Sequence, residues 1–276
     1  MPLDLNVRPP VIKRVRGYRF YSQDGIRYLD FYQENGKSIL GSRPAGFSNA
    51  LKKEIEKGNY HGFPSGYDKK ILNALKELSG TDSLNAAVFC TAGEAAEFIS
   101  VKEEREVSVC PDFPEASTYD RRGMICKWYP FCGITLKDFL SDHRYVLPVL
   151  PFPGSFSPVV LISSDSDLAG ATPVSPILLA GLNIIIYRLI QHIEKEPYKD
   201  WNEFIEKIGK IWDVKTPYLL PRYTKDNQPF VYKTFLANRI LIQPGFSGLS
   251  ALPAEISDGE RAIFLKTADK VIRGIY

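Results

Sequence analysis

Short stretches of alternating polar and apolar residues open the chain and predict a pair of strands. Residues 18–21 and 26–31 alternate on either side of an Asp-Gly dipeptide, which readily takes the positive φ of a tight hairpin turn. Apolar residues then recur three and four positions apart over 46–57 and 67–79, which is the spacing of one helix face. The pattern therefore predicts a hairpin followed by two amphipathic helices.

A continuous apolar run over 86–90 marks the next change of pattern. Such a run is typical of a strand buried in a parallel sheet. The small residues Thr91, Ala92 and Gly93 follow directly, and a helical pattern covers 94–101. This stretch therefore predicts a strand, a turn of small residues and a helix.

The pattern becomes irregular between residues 107 and 163, where four prolines between 148 and 158 divide the chain into short extended pieces. Regular patterns return after this region. They predict a long buried helix, an amphipathic helix, two strands and a last helix, in this order: 176–194, 201–212, 230–235, 239–243 and 258–272.

The composition indicates an ordinary globular protein. Of the 276 residues, 44% are hydrophobic and 24% are charged, and the net charge is +3. Lysines and arginines are mixed with acids, so no concentrated basic face is expected and no nucleic-acid partner is predicted. No basic start followed by an apolar run opens the chain, and its apolar runs are too short to span a bilayer. We therefore expect a cytoplasmic protein with no membrane partner.

The cysteines do not predict a metal site. Cys90, Cys110, Cys126 and Cys132 show no C-x-x-C spacing, and the chain has three histidines. We expect reduced, mostly buried thiols.

Several stretches of the sequence carry a resemblance to one enzyme family. Residues 23–31 (QDGIRYLDF) and 40–44 (LGSRP) match its opening meander and the turn that follows, and residues 89–97 (FCTAGEAAE) match its F-x-x-S-G-[ST]-E-A stretch. Residues 171–182 (ATPVSPILLAGL) match the start of its long helix, and residues 236–244 (LANRILIQP) match a strand of its C-terminal domain. In this order, they resemble the class III aminotransferases, the pyridoxal-phosphate (PLP) group of glutamate-1-semialdehyde aminomutase and the ornithine and GABA aminotransferases.

The resemblance implies a fold and a domain organisation. The fold class would be α/β and PLP-transferase-like, which is the aspartate aminotransferase fold type I, with a reduced central sheet and an α+β terminal domain. Residues 1–60 would be the N-terminal part of the small domain, and 61–175 a shortened large α/β domain. Residues 176–276 would be the long helix and the C-terminal part of the small domain. A homodimer is expected, since the enzymes of the family share their active sites between subunits.

The resemblance also implies candidate cofactor-binding residues. Thr91, Ala92 and Gly93 stand where the family holds the PLP phosphate with backbone N–H groups at a helix N-terminus. Thr172 stands near the family threonine that reaches the phosphate of the partner subunit. Ala92 replaces a glycine and Gly93 replaces a hydroxyl residue, so room for a phosphate is kept while one hydroxyl contact is lost.

The centre of the family's catalytic machinery has no counterpart in the sequence. Residues 98–170 contain no Asp-Glu pair and no Tyr-x-Gly-x-His-Gly stretch, and residues 145–149, directly upstream of the Gly-containing turn at 151–155, contain no lysine. A lysine amine is needed to hold PLP as a Schiff base. We therefore assign no catalytic residue, and we expect several strands of the family's seven-stranded sheet to be missing.

The sequence thus predicts a degenerate class III aminotransferase-like protein that lacks the Schiff-base lysine and does not catalyse transamination. It is expected to bind a phosphate- or carboxylate-bearing small molecule, and PLP, if it is the ligand, would bind without a covalent bond. Two alternatives stay open. One is an active aminotransferase or aminomutase in which a relocated lysine such as Lys127 forms the Schiff base. The other is an accessory subunit that pairs with a full-length aminotransferase.

Overall fold

The structure, a computed structural model, describes residues 9–110, 124–154, 156–171 and 173–276. Its strands and helices in chain order are β1 (Ile12–Arg16), β2 (Arg19–Ser22), β3 (Arg27–Asp30), the single turn α1 (Gln33–Gly36), α2 (Phe47–Glu56), α3 (Gly66–Ser79), β4 (Asn85–Phe89), α4 (Ala92–Lys102), β5 (Cys126–Trp128), α5 (Leu136–Asp142), β6 (Val146–Pro148), β7 (Val159–Ser163), α6 (Pro176–Glu194), α7 (Ile205–Ile208), β8 (Trp212–Lys215), β9 (Tyr218–Pro221), α8 (Gln228–Ala237), β10 (Ile240–Leu241), β11 (Ser250–Ala251) and α9 (Asp258–Ile275).

Contacts along the chain define two compact units. The central unit is Pro44–Lys195, and the terminal unit combines the chain up to Arg43 with Glu196–Tyr276. The predicted segments 1–60, 61–175 and 176–276 divide the chain differently. The reason is that helices α2 and α6 pack on each other, and α6 packs on α3, inside the central unit.

The central unit is built on one four-stranded sheet in the order β4-β7-β6-β5. The expected reduction of the seven-stranded sheet is therefore confirmed for the residues that the structure describes. Strand β4 pairs antiparallel with β7 along its whole length, from Asn85 opposite Ser163 to Phe89 opposite Val159. The prediction that β4 lies in a parallel sheet is wrong in this respect. Ala87 and Phe89 on one face of β4 are buried, and Ala86 and Val88 on the other face are half-buried. An apolar run therefore indicates how far a strand is covered and does not fix the direction of its neighbour.

The long helix α6 begins and ends at the predicted residues, with Pro176 in its first turn. It buries an apolar face that includes Leu182, Ile185 and Ile186, and it packs on α2 and α3. Within the described residues it is the one helix long and apolar enough to cross a membrane by composition. A buried core helix of a soluble protein passes the same test.

The terminal unit contains two small sheets and an aromatic core. Strands β1, β2, β3 and β10 form one sheet, and β11, β9 and β8 form the other. The predicted hairpin is confirmed as β2 paired antiparallel with β3. Phe31 stacks on Phe264 with ring centroids 4.1 Å apart, and further large aromatic side chains surround this pair: Trp201, Trp212 and Phe235.

Two predicted elements of the terminal unit are wrong. Residues 201–212 do not form one helix, because a 3-10 turn leads into the short α7 and Trp212 already begins β8. Residues 230–235 are helical and not extended. Their aromatic and β-branched side chains favour strands locally, but helix α8 buries Val231 and Phe235, which lie four residues apart on one face.

Candidate functional site

The direction of the strands in the central unit determines which loops meet. Strand β7 is antiparallel to both β4 and β6, and β5 is parallel to β6. Strands β4, β5 and β6 therefore point the same way, and their carboxyl ends lie at one edge of the sheet. Helix α4 begins at this edge directly after β4. In open α/β sheets, ligands bind outside the carboxyl ends of the strands.

Thr91 is the N-cap of α4, and its side chain forms a reciprocal cap with Glu94. The Thr91 hydroxyl accepts a hydrogen bond from the Glu94 N–H at 3.1 Å, and the Glu94 carboxylate accepts one from the Cys90 N–H at 3.0 Å. The N–H groups of Ala92 and Gly93 have no hydrogen-bond partner among the described residues, as expected for the first turn of a helix. These two donors are therefore available to an anion.

The start of α4 also has free space. Apart from its chain neighbours and the backbone of α4, the described residues place one atom within 4 Å of a Cβ added to Gly93, the Thr91 Oγ1 atom at 3.7 Å. Thr91 and Gly93 are exposed, and Ala92 is half-buried. The structure therefore brings three predicted site residues together at an open helix N-terminus, where N–H groups and the helix dipole attract negative charge. The fourth predicted residue, Thr172, lies outside the described residues.

Glu94 takes part in this turn, although no role was predicted for it. The spacing Thr91-x-x-Glu94 is a capping-box signature and could have revealed it. The Glu94 carboxylate places one negative charge beside the two open N–H groups. A ligand at this turn therefore competes with an internal anion, which weakens the attraction of the helix N-terminus for a second negative group.

The nearest lysine to this edge in the described part of the sheet is Lys127, in β5. It is half-buried and stands in register with Leu147 of β6. Leu147 belongs to the apolar cluster that also contains Ala95 and Ile99 of α4. Because paired residues share a face, Lys127 lies on the side of the sheet that carries α4. The stretches that follow β5 and β6, residues 129–135 and 149–154, contain no lysine.

A network of charged side chains lies at the opposite edge of the sheet. Glu103, at the end of α4, accepts hydrogen bonds from the Tyr145 hydroxyl and from Arg144. These contacts, with the Tyr145 hydrogen bond as the largest, hold the pKa of the Glu103 carboxyl below its usual range. Tyr145 directly precedes β6, so the network joins the amino edge of the sheet to the end of α4. This position, at the opposite end of α4 from Thr91, indicates that the Glu103 network has a structural role.

Metal chemistry finds no support in the described residues, which contain no group of three or more His, Cys, Asp or Glu side chains able to hold an ion. The four cysteines differ in exposure: Cys110 and Cys126 are buried, Cys132 is half-buried and Cys90 is exposed. The expectation of mostly buried thiols is therefore wrong for Cys90, which follows β4 at the open edge of the sheet.

No protein-family model matches the chain. An uncharacterized protein of Borreliella burgdorferi is 28% identical over 263 residues, which cover 93% of this chain and 89% of that protein. A glutamate-1-semialdehyde 2,1-aminomutase of Clostridium acetobutylicum is 26% identical over 103 residues, which cover 37% of this chain and 24% of the aminomutase. The match thus spans about a quarter of that enzyme.

Solved structures give the same fold. The ornithine delta-aminotransferase of Plasmodium falciparum superimposes with a TM-score of 0.68 and 14% identity, over 98% of this chain and 95% of that chain. At this identity the likeness establishes the fold alone, while the sequence matches to aminomutases give the family resemblance. The chain is a shortened class III aminotransferase-like protein with the fold of the PLP-dependent transferases.

Proposed function

We propose that the chain binds a phosphate- or carboxylate-bearing small molecule at the first turn of α4 and does not transaminate. The observation that carries the proposal is a contrast at one edge of the sheet. The N–H groups of Ala92 and Gly93 are open there, while the stretches following β5 and β6 bring no amine to the same edge. The site therefore supports the binding of an anion better than the chemistry of a Schiff base.

PLP is the first ligand to test. Thr91, Ala92 and Gly93 would hold its phosphate through backbone N–H groups and the Thr91 hydroxyl. When bound, PLP supplies an electron sink, but transamination also requires a lysine amine to hold the cofactor and to move a proton. The phosphate end of PLP therefore fits Thr91, Ala92 and Gly93, whose side chains carry no amine that could bond to the aldehyde end.

The alternative is an active enzyme that uses Lys127. Lys127 lies on the α4 side of the sheet, which is the one observation consistent with this alternative. The amine would have to reach a ligand held at the end of β4, and β4 and β5 are separated by β7 and β6. Three strand spacings of about 4.8 Å each place the two strands about 14 Å apart. This separation is the reason that the active enzyme is the second candidate and not the first.

Titration of the purified chain with PLP and with inorganic phosphate tests the proposal. We expect saturable binding of PLP by calorimetry and no lysine adduct by mass spectrometry after borohydride treatment. The variant Gly93→Asp should weaken binding by about tenfold or more, because a carboxylate in the first turn suits the helix dipole but repels the ligand. Gly93→Asn is the neutral control of nearly the same size, and it should bind like the native chain.

Two results would overturn the proposal. Absence of binding of both ligands, or equal binding by Gly93→Asp and Gly93→Asn, would remove the site from the first turn of α4. A borohydride-stable adduct on Lys127, lost in Lys127→Ala, would establish the active-enzyme alternative.

We further propose that the chain is a cytoplasmic homodimer. In the central unit, Tyr60 and Phe63 lie between α2 and α3 and are 66% and 71% exposed. Two large exposed aromatic side chains so close in sequence favour a protein interface. Light scattering should give twice the chain mass for the native protein and a lower mass for Phe63→Glu. Recovery of a heterodimer with a full-length aminotransferase from cells would favour an accessory subunit.

A further inference from the structure

Two of the four cysteines meet in the interior of the central unit. Cys110 is 2% exposed, Cys126 is 3% exposed, and their Sγ atoms lie 3.2 Å apart. A disulfide bond is about 2.04 Å long, so the two sulfur atoms would have to approach by only about 1.2 Å. Such a shift lies within the range of small side-chain rotations.

The backbone holds these two cysteines in register. The Cys110 N–H donates to the Ile125 carbonyl at 2.8 Å, and the Ile125 N–H donates to the Ser108 carbonyl at 2.9 Å. Val109 and Ile125 thus form a parallel bridge, and Cys110 and Cys126 are the next pair along it. Adjacent strands lie about 4.8 Å apart, which falls within the Cα separation of about 4.4–6.8 Å that disulfides require.

We propose that Cys110 and Cys126 form an intramolecular disulfide when the protein meets a small peroxide. One thiol attacks the peroxide and becomes a sulfenic acid with release of water. The second thiol then displaces a second water and closes the S–S bond. Two thiols and one hydrogen peroxide molecule thereby give one disulfide and two waters. Hydrogen peroxide is small enough to reach thiols that larger disulfide oxidants cannot.

The position of this pair gives the disulfide a consequence for the shortened sheet. Strand β5 is the last strand in the order β4-β7-β6-β5, and residue Val109 bridges to Ile125 next to it. A bond between Cys110 and Cys126 would join β5, the outermost strand of this sheet, covalently to the segment that contains Val109. It would also restrict the unfolded chain between the two cysteines, which raises stability. This inference does not depend on the ligand proposed above.

Peptide mapping after peroxide treatment tests the assignment directly. Trypsin places each cysteine on its own peptide, namely 77–102 for Cys90, 106–121 for Cys110, 123–127 for Cys126 and 128–137 for Cys132. We expect a linked species of 106–121 with 123–127 that is lost on treatment with dithiothreitol. The oxidised protein should melt about 5–10 °C higher than the reduced protein.

Variants separate the pair from the exposed thiol. Cys110→Ala and Cys126→Ala should each lose the linked species and the rise in melting temperature, whereas Cys90→Ser should keep both. If a substitution at a buried cysteine prevents folding, the peptide map of the peroxide-treated native protein tests the proposal without the variants. The proposal is overturned if peroxide leaves both thiols free, oxidises them without linking them, or links either one to Cys90 or Cys132.

A third sulfur atom lies near this cysteine pair, so a second measurement tests whether the three sulfur atoms bind a metal ion. The Met124 Sδ atom lies 3.9 Å from the Cys110 Sγ atom, and two thiolates with a thioether form a ligand set that suits Cu(I). Native mass spectrometry of the purified protein should show no bound copper. A copper adduct that protects both thiols and leaves with a Cu(I) chelator would overturn the disulfide in favour of a metal site.

Discussion

Arg19 and Glu260 form a two-bond ion pair that joins strand β2 to the first turn of α9. The Arg19 Nε atom donates to Glu260 Oε1 at 2.8 Å, and Nη2 donates to Oε2 at 2.5 Å. Glu260 also accepts from the Ser257 N–H, so the same carboxylate completes the capping box of α9. One buried carboxylate thus connects elements 241 positions apart in the sequence.

Replacing Glu260 by Gln should destabilise the chain by about 2–3 kcal/mol, because it leaves the Arg19 guanidinium beside a neutral amide. Burial disfavours the Glu260 carboxylate, but the hydrogen bonds from Arg19 and Ser257 outweigh this and lower its pKa to about 2. The contribution should be complete above about pH 4.5 and be lost as the pH falls towards 2. Urea unfolding at pH 7 and pH 3 measures both effects.

The matched control for this prediction is Glu56→Gln. Glu56 faces Lys52 at 3.7 Å with its side chain 64% exposed, and such pairs contribute less than about 1 kcal/mol. Equal losses in Glu56→Gln and Glu260→Gln would contradict the importance assigned to the buried pair.

Glu54 is the corresponding buried carboxylate of the central unit. Its Oε1 atom accepts from Lys57 at 2.7 Å and from the Tyr67 hydroxyl at 2.9 Å, and its Oε2 atom accepts from Asn59 at 2.6 Å. Tyr67→Phe should cost about 1.5 kcal/mol, the value of a hydrogen bond to a charged acceptor. A double-mutant cycle with Glu54→Gln isolates this bond, and a coupling energy near zero would show that the hydroxyl contributes nothing.

Asp30 should make the protein less stable as the pH rises. Burial raises the pKa of its carboxyl to about 7, although the Gln33 N–H donates to it at 2.9 Å. Unfolding lets this group ionise near its ordinary value of 3.8, so stability should fall between about pH 4 and pH 7. Asp30→Asn keeps an acceptor for Gln33 and should stabilise the protein by about 2–4 kcal/mol at pH 8, with no gain at pH 4.

Melting temperatures of the native chain and Asp30→Asn between pH 4 and pH 8 measure this difference. Asp24→Asn, in the exposed turn between β2 and β3, is the control and should follow the native curve. Parallel curves for the native chain and Asp30→Asn would show that Asp30 is already ionised in the folded state.

The long periodic elements of this fold could be predicted from the sequence, because their signals are local. Helix α6 has an apolar period with a proline in its first turn, and α9 has the Ser257-x-x-Glu260 capping box. Helix α8 could not be predicted from propensity. Its aromatic residues favour strands, and burial in the aromatic core decides the outcome. The proline at its first turn was the one local signal.

The same distinction between local and long-range signals applies to the functional residues. Thr91, Ala92 and Gly93 are adjacent in the sequence, so a resemblance over a few residues could identify them. The contact between Cys110 and Cys126 depends on a strand register that no local pattern specifies. The antiparallel pairing of β4 with β7 is of the same kind, because an apolar run does not reveal the direction of its partner.

Gly181 tests how closely α6 packs in the central unit. A Cβ atom at this position would lie 2.9 Å from Phe47 Cε2, 3.0 Å from Leu51 Cδ2 and 3.1 Å from Phe152 Cε2. Gly181→Ala should therefore cost about 1–3 kcal/mol, because overpacking outweighs the better helix propensity of alanine. Gly259→Ala is the control. Gly259 lies in the first turn of α9, and outside that helix no atom of the residues that the structure describes lies within 4 Å of an added Cβ, so the variant should be neutral or slightly stabilising. Urea unfolding of both variants measures the contrast, and a stabilised Gly181→Ala would show that α2 and α6 can separate to admit a methyl group.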